Sequence, residues 1–296
     1  MPPIKKAVIP AAGFGTRLLP QTKAMPKFIL PIIDKPIIQY IVEELVEAGV
    51  TEIIVVAKPD GRRSFESHFG KPSQDLIAHL KKEGPAKEPY IKMVEDISNL
   101  ARFTYVERHG PYGNAGAVVN AEEAVGDEPF LYIYPDDVFV ASPSRAKQMV
   151  EAYSANPGII HACIEISKDD EFSRYGVVGG QEIEPDLIKM DAIIEKPGGE
   201  KAPSNMASIG GYVLTKEIFP YLHDHLDNFD GRGEFKIQDV MQKYIKDGKP
   251  MYGVKLKDAK YYDTGNKLEY LKTVIEFGLA HPDFSDELKD YLRKII

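Results

Sequence analysis

The chain has 296 residues, 43% of them hydrophobic and 28% charged, with 45 acidic against 37 basic side chains for a net charge of −8. That is the composition of a soluble globular fold with a sizeable core. Its single cysteine, Cys163, excludes a disulfide framework or a cysteine-based zinc site and fits a reducing cytosol. No apolar run reaches the roughly 18–20 residues of a membrane span, and Pro10, Gly13, Gly15 and Arg17 interrupt the N-terminal segment too early for a signal peptide. A cytoplasmic protein with no membrane partner is expected. An acidic chain is also a poor match for nucleic acid, where phosphate neutralisation drives binding. Residues 1–33 nevertheless carry Lys5, Lys6, Arg17, Lys23 and Lys27 and no acid, which points to a local pocket for a small anion.

In chain order, Lys6–Pro10 reads as a buried strand that empties into the loop AAGFGTR. Lys5 and Lys6, before and at the start of that strand, are expected in solvent. Pro36 stands where a helix begins, Ile38, Ile41, Val42 and Leu45 repeat at helical spacing, and Gly49 ends the helix. TEIIVVA (51–57) is the next strand. Residues 60–100 are polar and irregular, an insertion or lid with one helix in DLIAHLKKEG. RFTYVE is a strand, AGAVVNAEEAV a helix, and PFLYIYP a strand that runs directly into Asp136 and Asp137. A helix (SRAKQMVEAYSAN), a strand (GIIHACIEI) and a β-rich stretch of YGVVGG, DAIIEKPG and ASIGGYVL follow, then three late helices. This alternation predicts an α/β fold: a Rossmann-like, mainly parallel mixed sheet flanked by helices, with C-terminal helices. No repeat or linker divides the chain, so one domain is expected over 1–296. Three parts are expected within it: 1–145, 146–265 and C-terminal helices over 266–296. Those last helices either cap the domain or pair two subunits as a homo-oligomer.

In open α/β sheets ligands gather at the carboxyl ends of strands, where AAGFGTR and Asp136–Asp137 fall. Small residues and glycines after a strand let the backbone approach a phosphate or base. The loop is no Walker motif, and Leu18 replaces the third glycine of a dinucleotide fingerprint. Paired carboxylates at a sheet edge are hard oxygen ligands suited to Mg²⁺, and Asp263 in YYDTGN is a candidate second ligand; alone, each also fits a turn. Glu195 and Lys196 end an apolar strand with an acceptor that suits sugar hydroxyls and a cation that suits a phosphate; in isolation they also fit a solvated strand end. The histidines show no metal spacing, no G-x-S-x-G occurs and Cys163 lies inside a strand, so no covalent nucleophile is indicated.

Taken in order, these segments resemble the sugar-phosphate nucleotidyltransferases. AAGFGTRLLPQTKAMPKFILPIIDKPIIQY is similar to that family's opening signature, and the likeness continues through PDD (135–137), YGVV (175–178), EKP (195–197), APSN (202–205) and DTGNKLEY (263–270). It spans nearly the whole chain and is nearest to the branch that joins UTP to glucose 1-phosphate. The resemblance implies that Ala11, Ala12, Gly13 and Gly15 hold the nucleotide through the backbone, with Arg108 and Gly113 at the base. Arg17 and Lys27 would contact the triphosphate as the catalytic cations, and Asp136 and Asp263 would bind Mg²⁺. Gly176 and Glu195 would contact the sugar, and Lys196 its phosphate. The implied partners are therefore a nucleoside triphosphate and a sugar 1-phosphate.

Three positions depart from the uridylyltransferase pattern. Phe28 stands where that branch has Glu, Arg108 where it has a base-reading Gln, and GNAGAV (113–118) replaces GLGHAV. Arginine has donors and no acceptor, so Arg108 does not bond uracil as an amide does. The same reaction with dTTP or GTP, or with another sugar 1-phosphate, is the alternative. A nucleotide-sugar glycosyltransferase would share the metal-binding acids but has no need of the G-x-G-T-R segment. A non-catalytic sensor would bind without turnover.

Overall fold

A computed structural model describes residues 3–295. The chain opens with strand β1 (Lys6–Ala11), a small hairpin of β2 (Pro31–Ile32) and β3 (Lys35–Pro36), helix α1 (Ile37–Glu47) and strand β4 (Glu52–Ala57). Three helices follow, α2 (Pro59–Phe69), α3 (Gln74–Lys82) and α4 (Glu88–Ser98). Next come β5 (Arg102–Glu107), α5 (Asn114–Val125), β6 (Phe130–Ile133) and β7 (Asp137–Ala141). The second half runs through α6 (Arg145–Ala155), β8 (Ile159–Glu165), the short α7 (Asp169–Phe172), β9 (Gly176–Glu184), β10 (Leu187–Glu195) and β11 (Met206–Leu214). It ends with α8 (Phe219–Asp227), α9 (Ile237–Lys246), β12 (Met251–Lys255), β13 (Ala259–Asp263), α10 (Lys267–Ala280) and α11 (Ser285–Ile295).

Nine strands form one sheet in the order β5-β4-β1-β6-β11-β8-β12-β10-β9. From β5 to β6 every pairing is parallel, as the alternation of strand and helix requires. Beyond β6 the sheet turns mixed: β11 is antiparallel to both β6 and β8, and β10 to both β12 and β9, while β8 and β12 are parallel. The mainly parallel character is thus a property of the N-terminal half. Period-two alternation sends Ala7 and Ile9 of β1 into a core with α1, α2 and α6. Val8 faces the opposite core, which is built with α5, α8 and α9.

Residues 60–100 are not the irregular insertion that their polarity suggests. They form three helices, each held by few apolar anchors: Phe65 and Phe69 on α2, Ile91 on α4, and no buried residue on α3. Ser73 caps α3 by accepting the Leu76 N–H at 3.2 Å. Lys6 is not solvated either. Its ammonium donates to the carbonyls of Ala124 (3.2 Å) and Val125 (2.9 Å) and pairs with Glu128 at 2.7 Å, closing the C-terminus of α5. Helix α10 packs Phe277 against Tyr40 and Tyr262, so it covers the edge of β13. Among the described residues no helix is long and apolar enough to cross a membrane.

Candidate active site

The parallel arrangement of β4, β1 and β6 brings their carboxyl ends to one edge, and the loop after β1 lies across it. Gly15, left-handed at φ 62°, turns that loop into a short 3₁₀ turn carrying Arg17, and Thr22 Oγ1 fastens it by donating to the Gly15 carbonyl at 2.8 Å. A cavity of about 210 Å³ opens beside the loop, lined by Ala11, Ala12, Gly13, Phe28, Arg108 and Gly113. Its far wall depends on Gly113, whose φ of 145° brings it against the backbone of Phe235; a Cβ there would overlap the Phe235 carbonyl. Phe235 N–H donates to the Tyr112 carbonyl at 2.7 Å and Ala115 N–H to the Phe235 carbonyl at 3.1 Å, so the two loops are stitched together at that glycine.

Two of the departures noted above acquire a physical reading here. Phe28 is a buried core ring, 4.8 Å from Phe65, and offers the cavity an apolar floor. Arg108 lines the same cavity, but its two terminal nitrogens donate to the carbonyls of Gly110 (2.8 Å) and Pro111. Its fork closes the 108–111 loop.

A second cavity, of about 390 Å³, is charged. Arg17, Asp136, Arg174, Glu195, Lys196 and Asp263 line it. Strand β7 pairs antiparallel with β13 in the register Asp263↔Asp137, which places two acids from distant parts of the chain side by side. Lys27 forms an ion pair with Asp136 Oδ2. Asp263 Oδ1 accepts the Gly265 N–H at 2.7 Å, while Oδ2 accepts from Asn266 (3.2 Å) and Arg174 (3.0 Å). The buried Thr264 donates to the Asp136 carbonyl at 2.7 Å. Asp137 lines the same cavity, half-buried, and Tyr261 donates to it at 2.8 Å; burial and the neighbouring Asp136 push its pKa up to about 7. On the sugar side, the β9–β10 register sets Glu195 opposite Gly176, and Lys196 follows in the left-handed region at φ 50°. Below the site, the fully buried Arg145 joins Glu44 of α1 to the carbonyls of Asp137 (3.1 Å) and Gly210 (2.9 Å), fixing the start of β7.

The residues singled out in the sequence therefore divide between two adjoining spaces. Ala11, Ala12, Gly13, Arg108 and Gly113 face the first; Arg17, Gly176, Glu195, Lys196 and Asp263 face the second; Lys27 and Asp136 face both. Gly15 lines neither and acts by turning the loop.

Over residues 6–276 the chain matches the family described as nucleotidyl transferase. It belongs to that family. The chain is 36% identical, over its whole length and 98% of the relative, to the UTP–glucose-1-phosphate uridylyltransferase of Bacillus subtilis strain 168. Among solved structures, it is similar to UDP-glucose pyrophosphorylase complexed with UDP-glucose (34% identity, TM-score 0.80, 94% of this chain and all of the other). It is also similar to the UTP-bound UGPase of Acinetobacter baumannii (29% identity, TM-score 0.85, 99% of this chain and all of the other).

Set in a nucleotidyl transferase, four further residues gain meaning that their sequence positions did not announce. Arg174 reaches Asp263 directly. Asn114 faces both cavities and donates to Tyr134 Oη at 2.8 Å while accepting the Ile237 N–H at 2.9 Å. Thr264 and Gly265 lie within the DTGN segment. A Cβ on Gly265 would lie 2.9 Å from Asp263 Oδ1, 2.9 Å from Arg17 Nη2 and 3.3 Å from Asp136 Oδ2. The two carboxylates and the arginine thus converge on one small space that only glycine leaves open.

Proposed function

We propose that the protein is a Mg²⁺-dependent UTP–glucose-1-phosphate uridylyltransferase. The observation that carries this reading is the shared wall: Lys27 and Asp136 face both cavities, so a nucleotide in one and a sugar phosphate in the other would meet between them. Residues 1–145 would hold UTP and 146–265 the sugar phosphate. The full-length relative and the UTP- and UDP-glucose-bound neighbours support the substrate pair.

A phosphate oxygen of glucose 1-phosphate attacks the α-phosphorus of UTP. The new P–O bond forms as the bond to the β-phosphate breaks, and pyrophosphate leaves with the electron pair. The attacking oxygen is already ionised near neutral pH, so no side chain needs to remove a proton. Catalysis then rests on holding two anions together and neutralising charge as it develops. Arg17 and Lys27 serve that purpose at the reacting phosphates, while Glu195 and Lys196 orient the sugar and its phosphate.

Asp136 and Asp263 fit a magnesium ion. Their oxygens converge at Gly265, and among the described residues no third His, Cys, Asp or Glu completes a cage. Magnesium commonly takes only one or two protein carboxylates and fills its remaining positions with water and substrate phosphates. Bound there, it would supply charge neutralisation to the phosphates.

The test is pyrophosphate release with glucose 1-phosphate and UTP, dTTP, GTP, ATP or CTP in parallel. UTP is expected to lead and EDTA to abolish turnover. Preference for a purine nucleotide would overturn the substrate assignment, and activity surviving EDTA would overturn the metal site.

A further inference from the structure

Four cations line the charged cavity, and three of them already have acids: Lys27 is on Asp136, Arg174 on Asp263, and Lys196 lies 3.8 Å from its neighbour Glu195. Arg174 lies between α7 and β9, remote in sequence from the acid it meets. The other contacts of Asp263, from Gly265 and Asn266, come from its own loop. Arg174 is different. Its side chain is 40% exposed, its second terminal nitrogen reaches Asp170 only at 3.9 Å, and its guanidinium rests 5.3 Å from the Tyr175 ring centroid. It is a long, partly solvated cation held at its tip by one carboxylate oxygen, in a cavity that also contains Glu195 and Lys196.

We propose that Arg174 is a resident counter-ion of Asp263, releasing that carboxylate to a divalent cation and turning to the sugar phosphate, so that the two ligands assist each other's binding. The proposal rests on the reading of Asp136 and Asp263 as the metal ligands. A guanidinium and a divalent cation on one carboxylate repel each other, so each weakens the other's hold on Asp263. The incoming phosphate gives the displaced guanidinium a planar, bidentate partner. Linkage then requires reciprocity: whatever the phosphate does to metal affinity, the metal does to phosphate affinity.

The experiment is a Mn²⁺ titration of the full chain, read by electron paramagnetic resonance without nucleotide or sugar, on the wild type, Arg174→Gln, Arg174→Lys and Asp263→Asn. Steady-state kinetics on the two Arg174 variants accompany it. Removing one positive charge beside a metal ligand is expected to tighten Mn²⁺ binding about five- to tenfold in Arg174→Gln. Arg174→Lys should fall between that variant and the wild type. In Arg174→Gln the KM for glucose 1-phosphate should rise about tenfold, with the KM for UTP unchanged. Mn²⁺ binding that is lost in Asp263→Asn but equal or weaker in Arg174→Gln would overturn the role of Arg174 and leave the metal site standing. An unchanged KM for glucose 1-phosphate would do the same. Wild-type protein that binds no Mn²⁺, or Asp263→Asn that binds it normally, would overturn the metal assignment and the proposal with it.

Discussion

The cavity beside the β1 loop and the cavity above β7 and β13 share a wall of Lys27, Asp136, Asn114 and Tyr134, yet they are built in different ways. The first is made where parallel strands end, and it presents small residues, backbone and the floor of Phe28. The second is made by antiparallel ladders, β7 with β13 and β9 with β10, whose register sets charged side chains from remote segments opposite each other. A base is a flat, neutral object recognised by shape and backbone; phosphates and metal demand charge held at fixed points. The difference teaches that substitutions on the two sides should separate kinetically. Those at the charged cavity should lower kcat or raise the KM for glucose 1-phosphate, and those at the loop cavity should raise the KM for nucleotide.

The largest effect is expected at the charged cavity. Asp263→Asn removes one carboxylate charge from the metal site, and the loss of several kcal/mol of transition-state stabilisation corresponds to about a thousandfold in kcat. Steady-state pyrophosphate release checks it, and a loss confined to nucleotide KM would erase the distinction between the cavities. Arg17→Ala should cost about a hundredfold in kcat, as removal of one charge contact to a reacting phosphate does. Gly265→Ala should resemble it in kind, because its Cβ would displace the Arg17 guanidinium. A near-normal kcat for Arg17→Ala would remove that residue from the mechanism.

The same contrast decides what could be read from the sequence. The β1 loop was legible because everything it needs is local: a buried strand, two glycines and cations within one segment. Strand β4 was equally plain, since EIIVVA is a continuous apolar run with only its first residue short of full burial. Asp263 in YYDTGN could be offered as a second ligand, but nothing local sets it beside Asp136 in preference to an ordinary turn, because their approach depends on a β7–β13 register between segments far apart in the chain. Arg174 escaped notice for the same reason: nothing in SRYGVV indicates which acid lies across the cavity. Helices α2 and α4 were hidden by the opposite problem, whereas α3 was read from DLIAHLKKEG. The polar faces of α2 and α4 are so extensive that Phe65 and Phe69 on α2 and Ile91 on α4 set no visible period.

A fourth prediction tests the halves by stability. Strands β1, β4 and β6 contain no histidine, whereas β8 buries His161 completely. Its Nδ1 lies 2.8 Å from Ser208 Oγ and its ring packs edge-on to Tyr212, both uncharged partners, and burial drives its pKa from 6.5 down to about 3. The folded chain therefore keeps His161 neutral while the unfolded chain protonates it below about pH 6.5. Stability is fully present above that pH and is lost as the pH falls toward 3. Between pH 7 and 5 this single group should remove about 2 kcal/mol, a factor of about 30 in the folding equilibrium. Urea unfolding of the wild type and His161→Asn at both pH values checks it. If the variant shows the same acid sensitivity, the effect belongs to other groups.

The smallest effect is expected on the neutral side, and it tests the comparison most directly. Gly113 has a left-handed-region φ of 145°, and its Cα faces the backbone of Phe235, not a movable side chain. Gly113→Ala has no rotamer to adjust, so either the strained φ is kept or the two loops joined by the Tyr112–Phe235 and Phe235–Ala115 hydrogen bonds must part. Strain of this kind costs on the order of 1–3 kcal/mol. Nucleotide binding should therefore weaken by about tenfold, since each 1.4 kcal/mol is a factor of ten. Asp263, Arg17 and Glu195 line only the charged cavity, so kcat and the KM for glucose 1-phosphate should stay near wild type. Initial rates with each substrate varied in turn measure all three constants, and a thermal melt shows how much of the strain appears as lost stability. A fall in kcat comparable to that of Arg17→Ala would mean that the wall of the loop cavity also sets the geometry of the reacting phosphates. The two cavities would then have to be treated as one site.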